Sequence, residues 1–387
     1  MRNTVPPSSA QSSYSLDREI ELRFPLTGFI EGHTIRLHGD ISIELGGAVI
    51  GSAVDNNAGG AWLSSIGGAH TLIDAVSVEV NGSRIEQENL YQWLATGQLA
   101  VTENSRDVVR CAKSQLELRS GRYSALAVNQ AVGCAGVTST LLSTQQTFSV
   151  QPLCGLTKLP FIDATSKQVV LIIRLASART FLVNISGSAG AVTLANLFVS
   201  FQSWSPPAAA ALMKATPALA ALPFLTCWTL PQAVRSGLEN VSLNVTMPGP
   251  CLGWYASFVD NATLSAQTSD SFAMLQLPGL SRVRFLLDGT DMAVKFPYQL
   301  CPITADPLML MELAEDAIST LGHSVKGGGI NGARDRDNTG AAFVIGQKYD
   351  PPIMLAGSSV LSVEIQSDVT SAAPWTAYFT FITAVQG

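Results

Sequence analysis

The chain has 387 residues, long for one hydrophobic core and comfortable for two domains of just under about 200 each. Only 13% of its residues are charged, against about 25% in an average soluble domain, while 47% are hydrophobic. The net charge is −6 and there is no basic run, which argues against sequence-specific nucleic acid as a partner.

So little charge implies either a membrane protein or an outer surface buried against other chains. The nearest candidate for a span, "PPAAAALMKATPALAALPFL" at Pro206–Leu225, carries Lys214 and is interrupted by prolines, so no membrane helix is expected. The N-terminal "MRNTVPPSSAQSSYSL" lacks the apolar core of a secretory signal, and the Asn-x-Ser/Thr sequons at Asn81, Asn184, Asn240, Asn244 and Asn261 are expected to be unmodified. The six cysteines are scattered without a C-x-x-C pair, which reads as buried thiols in a reducing compartment.

In chain order, residues 1–16 are rich in Ser, Pro and Gln and read as an unstructured arm. Alternating strands follow at Ile20–Phe24 and Ile35–Leu45, the second expected to break at Gly39. Gly51–Trp62 reads as a loop. "VSVEVNGSRI", Val76–Ile85, is a strand, an Asn-Gly turn and a return. Glu86–Gln98 has helical spacing, with Leu90, Trp93 and Leu94 on one face. Val101–Thr147 reads as a long excursion. Strands resume at Thr147–Val150, Gln168–Leu175 and Ala195–Trp204; "VVLII" in the second is apolar on both faces, as in a strand between layers. Ser205–Pro223 is the candidate boundary, a Pro-rich linker with one or two helical turns.

The second half then repeats the order of the first. Leu238–Met247 and Trp254–Val259 read as strands, and "VRFLLDGTDM" at Val283–Met292 repeats the strand, turn and return. Asp306–Leu321 reads as a helix capped by Asp306 and followed by Gly322. A Gly-rich loop and three closing strands follow. "FSVQPLCGLTKLPF" aligns loosely with "FVIGQKYDPPIML", and "VVLIIRL" with "VLSVEIQ". The chain therefore reads as two copies of one β-domain, with structural turns at Asn81, Gly82, Asp288 and Gly289. The expected fold class is all-β: two tandem eight-stranded jelly-roll β-sandwiches, each with a short helix in a long inter-strand connection. The divisions are an arm at 1–16, a first roll at 17–205, a linker at 206–223 and a second roll at 224–387.

From Leu16 onward the chain resembles the double jelly-roll major capsid proteins of icosahedral DNA viruses. The stretches that carry the resemblance are "LIDAVSVEVNGSRIEQENLYQWL", "GLSRVRFLLDGTDM" and the "LP" step in "FSVQPLCGLTKLPFIDATSKQVVLIIRL". The resemblance implies a structural protein of the virion, assembled inside the host cell as pseudo-hexagonal homotrimers that tile the shell. It implies as partners neighbouring capsomers, penton and minor capsid proteins, and an internal membrane reached by the N-terminal arm.

No catalytic, cofactor-binding or metal-binding set is expected, and the protein is read as a non-enzyme. His33 and His38, five apart on one strand, are expected on opposite faces, which is unsuitable for a metal. His70 and His323 are isolated. Asp335, Asp337 and Asn338 lack the closing Glu of a calcium loop, and Glu312, Glu315 and Asp316 read as a solvent face. The alternative is a secreted or intracellular β-sandwich that binds or acts on glycans. That reading needs opposed carboxylates in an aromatic-lined groove, and aromatic residues make up only 7% of the chain.

Overall fold

A computed structural model describes residues 2–26, 28–46, 61–64, 67–102, 141–177, 182–184, 191–215, 224–234, 237–247, 249–265, 271–272, 282–291, 298–299, 308–321, 343–354, 359–367 and 375–385. The strands of the first half are β1 (Arg2–Val5), β2 (Ser13–Tyr14), β3 (Glu19–Arg23), β4 (Gly28–Gly46), β5 (Ala61–Leu63) and β6 (Ile73–Val80). They continue with β7 (Ser83–Glu88), β8 (Leu141–Val150), β9 (Ile162–Ala164), β10 (Val169–Leu175), β11 (Leu182–Asn184) and β12 (Ala191–Trp204). Those of the second half are β13 (Phe224–Val234), β14 (Gly237–Asn244), β15 (Cys251–Asp260), β16 (Arg282–Leu287) and β17 (Thr290–Asp291). They end with β18 (Tyr298–Gln299), β19 (Val344–Ile353), β20 (Val360–Ser367) and β21 (Trp375–Val385). Helices α1 (Tyr91–Thr102), α2 (Gly155–Lys158), α3 (Pro206–Ala215), α4 (Asn261–Ser265) and α5 (Leu308–Ser319) lie between them.

Four strand paths make two sandwiches. The first pairs β1-β12-β4-β8 with β3-β10-β6-β7; the second pairs β13-β21-β15-β19 with β14-β20-β16-β17. Read along the chain, β1, β3, β4, β6, β7, α1, β8, β10 and β12 hold the sheet positions that β13, β14, β15, β16, β17, α5, β19, β20 and β21 hold in the second half. The paired segments all run antiparallel.

The cores follow from alternation. Leu171 and Ile173 of β10 sit opposite Leu22 and Ile20 of β3 and opposite Val78 and Val76 of β6, so three strands lay matching apolar rows on one face. Phe148, Leu194, Val199 and Phe201 meet these rows from the facing sheet, and the Phe24 and Phe201 rings cross edge to face at 5.2 Å. In the second sandwich Trp254, Ala256, Phe258, Phe379 and Phe381 face Val241, Leu243, Leu361, Val363 and Ile365. Each such side chain, buried, stabilises by about 1.5–3 kcal/mol.

Several expectations need correction. Residues 2–16 are not an unstructured arm: β1 pairs with β12, β2 pairs with the same strand, and Tyr14 is buried in the first core. Backbone pairing supplies an order that the composition does not advertise. Gly39 does not break its strand. It lies opposite Phe148, and a Cβ there would stand 2.8 Å from the Phe148 ring, so the missing side chain makes room for the aromatic. Glu86–Glu88 belongs to β7 and the helix starts at Tyr91. The region expected as a linker opens with the ten-residue helix α3. The long excursion ends earlier than expected, since β8 begins at Leu141. Residues 51–60, 103–140 and 322–342 lie outside the described residues, as do Asp306 and Pro307.

His33 and His38 also depart from expectation. In the pairing of β4 with β12, Glu31 faces Gln202 and Arg36 faces Ser200, so the four residues between them on β4 oppose one on β12. This bulge resets the alternation. Gly32, Ile35 and Leu37 turn inward while His33 and His38 both point away from the core. His33 lies 3.2 Å from Glu31, and His38 bonds Ser200 Oγ at 2.7 Å while stacking on Phe198. Among the described residues no group of three or more His, Cys, Asp or Glu is placed to hold a metal ion.

The two turns occupy the same place in each half, joining β6 to β7 and β16 to β17. Asn81 and Gly82 have φ of 51° and 79°; Asp288 and Gly289 have 50° and 78°. Positive φ at both central residues marks a type I′ hairpin. Asn81 donates its N–H to Gln168 O and accepts the Gln168 N–H on Oδ1, each at 2.9 Å. Asp288 does the same with Val360, at 3.0 and 2.8 Å. So each turn is tied to the start of the neighbouring strand, β10 or β20. A Cβ on Gly82 or Gly289 would meet nothing within 4 Å, so only the backbone conformation opposes a side chain. Gly82→Val and Gly289→Val are each expected to lose about 1–2 kcal/mol, read from urea denaturation.

Candidate functional site at the seam between the sandwiches

The central strands β15 and β21 of the sheet β13-β21-β15-β19 are buried on both faces. Both are buried along nearly their whole length, so one side serves the second core and the other must be covered. The cover is a pair of helices, one from each half. α5 lies across β19 and β15 through Ala314 and Ile318, with Leu321 just beyond its end. α1 reaches over from the first sandwich and adds Leu94, which packs with Cys227, Tyr255, Val344 and Ile382. The Tyr255 hydroxyl donates to Leu94 O at 3.1 Å. Further along, the Trp93 ring stacks on Tyr378 at 4.0 Å and 10°, with Phe272 at 4.6 Å. The apolar face of α1 noted in the sequence is therefore spent on the other half of the chain.

Close approach is built in by glycine. A Cβ on Gly97 of α1 would lie 2.8 Å from the Tyr255 ring, and one on Gly155 of α2 would collide with the Leu225 carbonyl and the Phe224 ring of β13. The two halves meet at distances that any side chain at these positions would prevent.

Beside this apolar contact lie two carboxylates. Glu86 and Glu88 of β7 face inward at the edge where β7 packs against β13, and are only 5% and 4% exposed. The strand register sets this: Glu86 sits opposite Val78 and Glu88 opposite Val76, on the core side of β6. Both oxygens of Glu86 accept the Gly155 N–H, at 3.0 and 2.9 Å. Glu88 Oε1 accepts the Leu90 N–H at 2.9 Å, while Oε2 accepts no hydrogen bond. Burial raises the Glu86 carboxyl to about 7, against smaller opposing effects from the Gly155 N–H and Lys158. Burial raises Glu88 to about 8, and the neighbouring Glu86 adds to it. The same burial pushes the thiols of Cys154 and Cys227 up, to about 12 and about 11. Tyr91, at the start of α1, accepts the Leu153 N–H and bonds His70 Nδ1, each at 2.9 Å.

Three of the six cysteines, Cys154, Cys227 and Cys251, are free and buried; Cys111, Cys134 and Cys301 lie outside the described residues. Trp93, Trp254 and Trp375 are packed inside and do not line a groove. Glu86 and Glu88, the two acids the fold brings together, stand on one face of one strand, whereas hydrolysis of a glycosidic bond needs them on opposite sides of a substrate.

No family model matches this sequence, and no curated protein matches it. Solved structures do. The chain is similar to the Faustovirus major capsid protein, with a TM-score of 0.63 at 8% identity, covering 100% of this chain and 90% of that one. It is similar to a chain of the Sputnik virophage, with a TM-score of 0.62 at 8% identity, covering 100% and 85%. The mavirus major capsid protein gives a TM-score of 0.55 at 12% identity, covering 99% and 86%. This chain has the double jelly-roll fold. Its two rolls share one apolar seam, formed by α1, α5 and the doubly buried sheet of the second roll.

Sequence reasoning missed the carboxylates of the double jelly roll because it assigned Glu86 to a helix. The signal was present in "SRIEQE": the alternation set by the Asn-Gly turn continues through Glu88, which places Glu86 and Glu88 beside Val78 and Val76. Trp93 carries the largest side chain crossing the seam, and Trp93→Ala is expected to destabilise the chain by about 3–5 kcal/mol in urea denaturation.

Proposed function

We propose that this protein is the major capsid protein of an icosahedral virus, assembling as homotrimers. The observation that carries the reading is the double jelly roll itself, with both rolls of one chain locked through a common seam. Three such chains around a threefold axis present six similar rolls, an outline that packs hexagonally. The location would be the virion, after assembly inside the host cell, with neighbouring capsomers, penton and minor capsid proteins as partners. The role asked of the chain is structural and involves no turnover.

The surface supports this reading. Only 13% of the residues are charged, fewer than an exterior wet on all sides would be expected to carry. Leu26 and Met354 are 55% and 63% exposed, and Trp204 and Trp228 are partly open. On α3, Pro206, Pro207, Ala208, Ala210 and Ala211 are exposed, and Ala209 is the one fully buried side chain among those described. Such surfaces are stabilised when a second chain covers them, and a permanent trimer buries more than about 2,000 Å² per contact. Light scattering at low micromolar concentration, followed by electron microscopy, is expected to give trimers and shells. A stable soluble monomer would contradict the trimer and remove the main support for a shell.

A further inference from the structure

The acid pair at the seam is placed so that it asks for one protonation state. Glu86 and Glu88 project from the same face of β7 into the contact with β13. Two ionised carboxylates two residues apart repel each other, and repel more strongly where water is excluded. The partners are too few for two anions. Glu86 has one N–H, that of Gly155, shared between its oxygens. Glu88 has the Leu90 N–H on one oxygen and nothing on the other. Thr226 and Thr229 of β13 face Glu86 and Glu88 and favour their ionised forms by less than burial opposes them, while Oε2 of Glu88 and Oγ1 of Thr226 are both left without a hydrogen bond.

The charged and titratable groups around the pair are few. From α2 comes Lys158, whose Nζ lies 4.0 Å from Cys227 Sγ, and beside it Cys154. From β13 comes Cys227, from α1 Tyr91, and from β15 Tyr255. Lys158 supplies one positive charge for two acids. The thiols and phenols are all held in their neutral forms by burial.

We propose that Glu86 and Glu88 form a proton-operated latch between the two rolls, closed when the pair is neutral and loosened when it ionises. The latch concerns one chain's own rolls and does not rest on the capsid reading; either can fail without the other.

The direction of the pH effect follows from the buried environment. Both carboxyls titrate higher in the folded chain than in the unfolded one, so the folded state holds more protons between the two ranges. Their contribution to stability is complete below about pH 4.5, the unfolded value, and is lost as pH rises through about 7 and about 8. Mild acid closes the latch and mild alkali opens it. The nearby Lys158 favours the ionised form of Glu86 and so moderates the opening, but burial remains the larger effect.

Two buried thiols allow the seam to be read separately from the rest of the fold. Cys227 lies in the seam and Cys251 in the core of the second roll. The full-length wild-type chain and the E86Q/E88Q variant are alkylated from about pH 5 to about pH 9, and labelling at each cysteine is followed by peptide mass spectrometry. In the wild type the ratio of Cys227 to Cys251 labelling is expected to rise severalfold across this range, and in the variant to stay flat. A ratio that is level in the wild type, or that rises equally in both, overturns the proposal. Infrared difference spectra of the wild-type chain from about pH 6.5, where ordinary carboxyls are already ionised, to about pH 9 need no substitution and settle the matter if the variant does not fold. A protonated-carboxyl band lost on going to alkaline pH supports the latch, and its absence at the acid end overturns it.

Discussion

A sheet that is apolar on both faces cannot stop at one sandwich. The path β13-β21-β15-β19 spends one face on its own core, with Trp254, Phe379 and Phe381, and leaves Tyr255, Val344, Tyr378 and Ile382 to be covered. The second roll supplies α5, and the first supplies α1. Every other feature of the arrangement follows from this debt of uncovered surface: Trp93 stacked on Tyr378, glycines at 97 and 155 where the halves come closest, and acids of β7 drawn into the contact. The two rolls are therefore one packed object rather than two domains on a tether.

The duplication is strict in order and loose in use. Among the described residues, a helix follows the hairpin of each roll before the next strand of the opposite sheet: α1 after β7, α5 after β17. α5 lies on its own roll's sheet, while α1 crosses to the neighbour's. Equivalent elements have thus been given different partners, and the seam is asymmetric. The hairpin turns kept their equivalence because each does a local job, tying a type I′ turn to the start of the next strand through Asn81 or Asp288. Locally determined features persist between copies; features determined by the other roll do not.

The same distinction explains what the sequence revealed. Strand alternation, the Asn-Gly and Asp-Gly turns, and the helical face of Leu90, Trp93 and Leu94 are local patterns, and they could be read. The doubly covered sheet was not read from "WYASFV" and "TAYFTFITAV", although neither alternates cleanly; the two-faced reading was placed on "VVLII" instead. What could not be read depended on distant pairing. β1 is ordered because β12 lies beside it, Gly39 continues its strand because Phe148 fills the space, and His33 shares a face with His38 because β12 forces a bulge. The candidate site fell in the same class: the burial of Glu86 and Glu88 depends on β13, some 140 positions away in the chain.

If the seam is the constraint on which the rest depends, the rolls must lose their structure together. Differential scanning calorimetry of the full-length chain measures this directly, by comparing the calorimetric enthalpy of unfolding with the van't Hoff enthalpy. One transition with the two enthalpies equal is the predicted result. Two separated transitions, one per roll, would contradict it and would return the chain to a pair of independently stable sandwiches.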